Sequence, residues 1–227
     1  MVEDKIKEIR KCLRLAMNGV ISSSMREKGV VYKLNFGVPY PEIKQIAASF
    51  EQDDELASAL WKEDIREFKI MATLLQPVES FTCERAKEWI KEIPHLEIAE
   101  YCSKNLFCKL PGIEKLTMGL IYNVNDFYAR TVAYLIWSEL FKEGKDLIPP
   151  IQAAFLVESM RTTLWTDFGA PWMEKQAAIK AMKFYGRQSS QRAAHIMNMF
   201  DVIPEYKDVP EQVEIYNDLK FEFEYYR

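Results

Sequence analysis

The stretch FGVPYPEIKQIAASFEQDDELASALWKEDIREFKIMATLL, residues 36–75, reads as three short helices divided by breakers. Pro41 falls where a first helical turn tolerates a missing N–H, and a helix over Glu42–Phe50 follows. Asp53 and Asp54 start a second helix that ends near Trp61. Asp64 caps a third, which runs to Gln76 and stops before Pro77, because the residue ahead of a proline is pushed out of the helical region.

The same punctuation extends in both directions. Upstream, Val2–Met25 carries Ile6, Ile9, Leu13, Ala16, Met17 and Val20 at spacings of three or four, one apolar helical face, before Gly29 breaks it. Downstream, Ser80 or Thr82 starts a helix reaching Lys91, Pro94 opens Leu96–Lys109, and Leu110–Gly112 turns into Ile113–Tyr122. Asn125 or Asp126 caps Phe127–Lys142, and Gly144 separates it from a helix through the 150s. Gly169–Pro171 leads into Trp172–Tyr185, and Ser189 or Ser190 caps a helix ending near Asp201. Strand signals are almost absent, and eight glycines in 227 residues are few. Helix pairs of roughly 30–40 residues suit an all-α, right-handed superhelix (solenoid) of HEAT-like pairs, whose units run to about 40 residues. A compact helical bundle is the structural alternative.

Composition narrows the functional classes. Hydrophobic residues make up 48% of the 227, enough for a continuous core, and no apolar run approaches the ~18 residues of a membrane span. The first fourteen residues alternate charges with Ile and Leu and lack the apolar segment of a signal peptide, so a cytoplasmic, non-membrane protein is expected. Cys12, Cys83, Cys102 and Cys108 form no CxxC pair, and His95 and His195 have no partner at ligand spacing. Neither a metal nor any other cofactor is expected, and the thiols read as free and buried. No glycine-rich phosphate loop, GxSxG elbow or HExxH pattern is present. The formal charge of −4 resides wholly in Pro204–Arg227, where seven acids face three bases. Lys175–Arg192, by contrast, holds five bases and no acid. Residues 1–203 therefore read as the repeat domain. Residues 204–227 read as an acidic, aromatic tail docked on the last repeat, or alternatively as a partner-binding segment.

The segments FGVPYPEIKQIA, LASALW and DIREFKIMATLL resemble, in order and spacing, the opening of the DNA alkylation repair family of the AlkD type. The later segments fit that family's repeat layout to about Phe200. The resemblance implies a C-shaped cradle of HEAT-like helix pairs that binds duplex DNA. It also implies removal of cationic alkylated purines, such as N3-methyladenine and N7-methylguanine, by N-glycosylase chemistry. That chemistry calls for a carboxylate near the developing sugar cation and aromatic residues against the deoxyribose.

The family's central helix carries a Trp followed four residues later by an Asp. The matching segment, PHLEIAEYCSKNLF (94–107), offers Glu97 and Tyr101 at those places, or Ile98 and Cys102 after a one-residue shift. The Trp/Asp pair is missing, so this chain departs from the pattern, and Glu97 and Glu100 are the substitute carboxylates on one helical face. In NDFYARTVAYL the resemblance places Arg130 on a DNA-holding arginine and Phe127 on a tryptophan. In AMKFYGRQ it places Phe184 on a sugar-contacting tryptophan and Arg187 on an arginine. Lys180, Lys183 and Arg187, at i, i+3 and i+7, form a basic stripe suited to tracking phosphates. The tryptophans read as core residues, except Trp165 and Trp172, which flank Asp167 in a loop. A monomeric, DNA-binding member of the family with weak or altered glycosylase activity is one expectation. A catalytically inert HEAT-like scaffold for a protein or other ligand is the other.

Overall fold

The computed structural model describes residues 1–165 and 168–226. These residues form thirteen α-helices, with one isolated parallel bridge between Leu34 and Ile65, and the chain is all-α in the class of α–α superhelices. Two compact units emerge: residues 1–86 with 105–110, and residues 87–104 with 111–227.

The first unit holds α1 (Val2–Leu15), α2 (Gly19–Glu27), α3 (Tyr40–Ala47), α4 (Asp54–Lys62) and α5 (Arg66–Leu75). The single helix expected over Val2–Met25 is two. Asn18 interrupts it: its side chain accepts from the N–H groups of Val20 and Ile21 and so caps α2. Its own N–H donates to the Phe36 carbonyl, 2.9 Å away. The apolar period that suggested continuity is spent differently, because Met17 and Val20 are exposed while Ile9 and Leu13 are buried. Asp53 caps α4 as expected, through the Leu56 N–H. The hydrogen bond from Lys5, at 2.7 Å, is the main reason that its carboxyl lies below the ordinary carboxylate range. Asp64 does not cap α5. Its carboxylate accepts from the Lys33 N–H instead, 2.9 Å away, which ties the 33–34 segment to the head of α5.

The Phe36–Val38 stretch is fastened by a buried carboxylate. Glu67, fully shielded from solvent, accepts from the N–H groups of Phe36 (3.1 Å) and Val38 (3.2 Å) and from Arg66 Nη1 (3.0 Å). Arg66 Nη1 also donates to the Val38 carbonyl at 2.9 Å. A carboxylate so enclosed is tolerable only because a cation and two backbone donors satisfy it.

Helix α6 (Cys83–Lys91) leads to the second unit, which holds α7 (Leu96–Asn105), α8 (Ile113–Ile121), α9 (Ala129–Lys142), α10 (Pro149–Leu164), α11 (Trp172–Arg187), α12 (Ser190–Asp201) and α13 (Pro210–Tyr225). The helix expected over Leu96–Lys109 ends at Asn105 and gives way to a 3-10 turn at Phe107–Lys109. Ser189 caps α12 through the Arg192 N–H. Of the cysteines, Cys102 and Cys108 are buried as expected, while Cys12 and Cys83 are half-buried.

Helix α9 is the centre of this unit. It packs on α8 and α11 and buries nearly every residue, so its apolar pattern shows no single face. Trp137 lies edge-on to Tyr134 (5.7 Å) and Phe155 (5.5 Å), with its indole N–H on Thr117 Oγ1 at 2.9 Å. Trp61 and Trp89 are likewise buried, whereas Trp165 and Trp172 are 55% and 69% exposed. Asp167, placed between those two by the sequence reading, lies outside the described residues. None of the described helices is long and apolar enough to cross a membrane.

Candidate functional site

Helices α7, α9 and α11 bring several of the expected residues to one surface. Glu100 on α7 is 47% exposed, and its Oε1 lies 3.7 Å from Lys180 Nζ on α11. Phe184 follows Lys180 by one turn on α11, so the two share a face. The Phe184 ring is half-buried, with Arg187 Cζ 4.8 Å from its centroid and Lys142 Nζ, from the end of α9, at 5.7 Å. The surface therefore combines the Glu100 carboxylate, one aromatic ring and three cations, of which Arg187 is paired with Glu222 and Lys142 lies 3.6 Å from Glu139. Lys142 escaped the sequence reading because it belongs to another helix, and nothing in its local pattern marks it. Glu97 is half-buried on α7.

Arg130 occupies a different place, 5% exposed beneath α10 and α11. Its Nε donates to Glu174 Oε1 (2.8 Å), its Nη2 to Thr162 Oγ1 (3.0 Å), and its Nη1 to Glu158 Oε2 (3.1 Å) and to the Ile121 carbonyl. The Phe168 ring covers the guanidinium at 4.6 Å. Burial, the largest single cause, pulls the guanidinium pKa down, but the hydrogen bonds it donates to Glu174 and Glu158, together with the surrounding charge, leave the value raised. Tyr134, hydrogen-bonded to Thr162 in the same cluster, has its phenol pushed up by burial. Among the described residues, Arg130 makes no ion pair with Glu100. Phe127 lies just ahead of α9, 62% exposed, and packs edge-on against Tyr128 at 5.0 Å. The two rings border an open cleft with Lys91, Asn123 and Asp126.

The basic stripe of α11 is largely matched by α13. Lys175 pairs with Glu211 at 2.8 Å and Lys183 with Asp218 at 2.8 Å, while Arg187 pairs with Glu222 and lies over the Tyr226 ring at 4.0 Å. The partners rise together along both helices, so α11 and α13 run in the same direction. The apolar face of α13 is committed too: Ile215, Leu219 and Phe223 are buried, and Phe223 presses so closely on Gly186 that a Cβ there would fall 2.2 Å from its ring. Three such side chains contribute about 1.5–3 kcal/mol each, so α13 is fixed by its core and not by charge alone.

A sequence model of the family described as DNA alkylation repair enzyme matches residues 9–154. The chain belongs to this DNA alkylation repair family. No curated protein and no solved structure gives a match. The family match contains Glu100, Phe127, Arg130 and Lys142 and ends within α10. Helices α11 to α13, which carry Lys180, Phe184 and the acidic partners of the stripe, follow it.

Proposed function

We propose that this DNA alkylation repair family member binds the backbone of alkylated duplex DNA on the α7–α11 surface, and that Glu100 is its catalytic carboxylate. The observation that carries the reading is the Glu100–Lys180 pair at 3.7 Å, one helical turn from Phe184 and its flanking cations. Lys180 and Lys142 supply charge for phosphates, and the Phe184 ring supplies an apolar surface for deoxyribose.

An alkylated purine already carries positive charge. The C1′–N bond breaks heterolytically, the electron pair leaves with the base and neutralises it, and positive charge develops on the sugar. A carboxylate fixed nearby stabilises that charge without having to deliver a proton. Water then adds to C1′ and loses a proton to solvent, which leaves an abasic site. At 3.7 Å and half-exposed, the Glu100–Lys180 pair is loose enough for Lys180 to turn to a phosphate while Glu100 faces the sugar. Arg130 acts at one remove, as a positioning residue that locks α9, α10 and α11 together.

The test uses duplexes containing N7-methylguanine or N3-methyladenine. Wild type releases the base, and Glu100→Gln lowers the rate by about 10²–10³ while duplex binding persists. Lys180→Ala and Phe184→Ala weaken binding itself. Absence of both base release and duplex binding at low salt would overturn the reading. It would favour the inert scaffold, a role that the exposed apolar groove of Val157, Trp165 and Val202 would serve.

A further inference from the structure

Helix α1 presents a second cationic row, in the first unit. Lys7, Arg10, Lys11 and Arg14 stand at i, i+3, i+4 and i+7, within an arc of about 100° at 3.6 residues per turn. The opposite face, with Ile9 and Leu13, is buried in the core. The four cations line one shallow groove with Leu15. Lys7, Lys11 and Arg14 are exposed, and Arg10 is held over the Phe68 ring at 5.0 Å. Lys7 makes one weak ion pair, with Asp4 at 3.8 Å. Lys11 and Arg14 make no ion pair with any described residue. On α11, Lys175, Lys183 and Arg187 are answered by acids of α13, whereas this row is largely open.

We propose that the outer face of α1 is a phosphate-binding surface for duplex DNA, a contact additional to the α7–α11 surface and resting on the DNA reading above. Seven residues of helix extend about 10 Å, close to three steps of duplex at about 3.4 Å each, so the row can meet successive phosphates of one strand. A helix already fixed by its apolar face holds these side chains in register before DNA arrives, which reduces the ordering cost of binding. An anionic membrane is the less suitable polyanion. A helix that lies in a bilayer surface needs a free apolar face, and that of α1 is consumed by the core. The exposed apolar residues nearby, Leu15, Met17 and Val20, sit beyond Arg14 and do not form a stripe along the helix.

The experiment measures the affinity of the full-length protein for an undamaged duplex between about 50 and 200 mM salt, where each neutralised phosphate adds about 0.9 to the log–log slope. The variant combines Lys7→Gln, Lys11→Gln and Arg14→Gln and spares Arg10 for its ring contact. Its slope should be shallower by roughly two to three, with an unchanged melting temperature. Lys180→Gln, measured alongside, should leave the contribution of α1 intact. A wild-type slope in the triple variant overturns this proposal alone and leaves the α7–α11 reading standing. Failure of wild type to bind the duplex at the lowest salt overturns both. Vesicles of phosphatidylserine form the second arm: binding that the triple substitution abolishes, with an unchanged DNA slope, assigns the face to membranes and rejects the proposal.

Discussion

Arg130→Met should lower the unfolding free energy by about 3–5 kcal/mol, measured as a shift of the denaturant midpoint at an unchanged m-value. Methionine keeps the length and apolar stem of the side chain, so packing loss is small and the electrostatic loss dominates. The substitution strands the carboxylates of Glu158 and Glu174, whose side chains are 5% and 6% exposed. Thr162 Oγ1 still donates to Glu174 Oε1 at 3.0 Å, and Arg161 still approaches Glu158 at 3.6 Å, but neither replaces the guanidinium. For scale, Lys183→Ala removes a partly exposed pair with Asp218 and a looser one with Glu222 at 3.7 Å, and should cost about 1 kcal/mol or less. The cause can be isolated. If stranded charge is responsible, adding Glu174→Gln to Arg130→Met should restore at least about 1 kcal/mol, because a neutral amide is cheaper to bury than an unpaired carboxylate. A double variant no more stable than Arg130→Met would sink that account and leave lost packing as the cause.

The contrast between Arg130 and Lys180 shows what a sequence discloses. The sequence marks both as DNA-facing, one by a family pattern and one by helical spacing. Spacing assigns residues to a face but does not say what covers it. For Arg130 the cover is Glu158 and Glu174, 28 and 44 residues away, and no local rule links them. The acids of α13 were visible as a cluster, yet their register with Lys175, Lys183 and Arg187 depends on how α13 packs, which periodicity does not determine. Helix existence was readable almost throughout, because Pro41, Pro149, Pro171, Gly112 and Ser189 punctuate the chain by local stereochemistry. The missed break at Asn18 had a local signal, an Asn ahead of a glycine, but the apolar period running across it masked the cap. The row on α1 was equally readable from its i, i+3, i+4, i+7 spacing. Net charge over the segment does not mark it, because Glu3 and Asp4 precede the row and Glu8 lies within it.

Gly37→Ala should destabilise the protein by about 2–5 kcal/mol, for two separable reasons. Gly37 has φ = 72°, a left-handed conformation that costs an L-residue roughly 1–2 kcal/mol. A Cβ there would also stand 2.1 Å from the Asn18 carbonyl oxygen and 2.7 Å from the Ser22 nitrogen, both backbone atoms at the start of α2. Backbone cannot rotate aside as a side chain can, so either α2 moves or the 36–38 segment does. The segment is pinned by Glu67 and Arg66, and α2 is pinned to it through the Asn18 N–H on the Phe36 carbonyl. Overpacking of this kind adds about 1–3 kcal/mol. Gly29 provides the control, with φ = 81° and nothing within 4 Å of a Cβ, so Gly29→Ala carries the conformational cost alone. The difference between the two variants, read from thermal or denaturant unfolding, measures the close approach directly. Equal losses would mean that the approach of Gly37 to α2 carries no energetic weight. A larger loss at Gly37 would explain physically why the stretch opening with Phe36 must read Phe-Gly-Val: the glycine admits α2 while its neighbours' N–H groups hold Glu67.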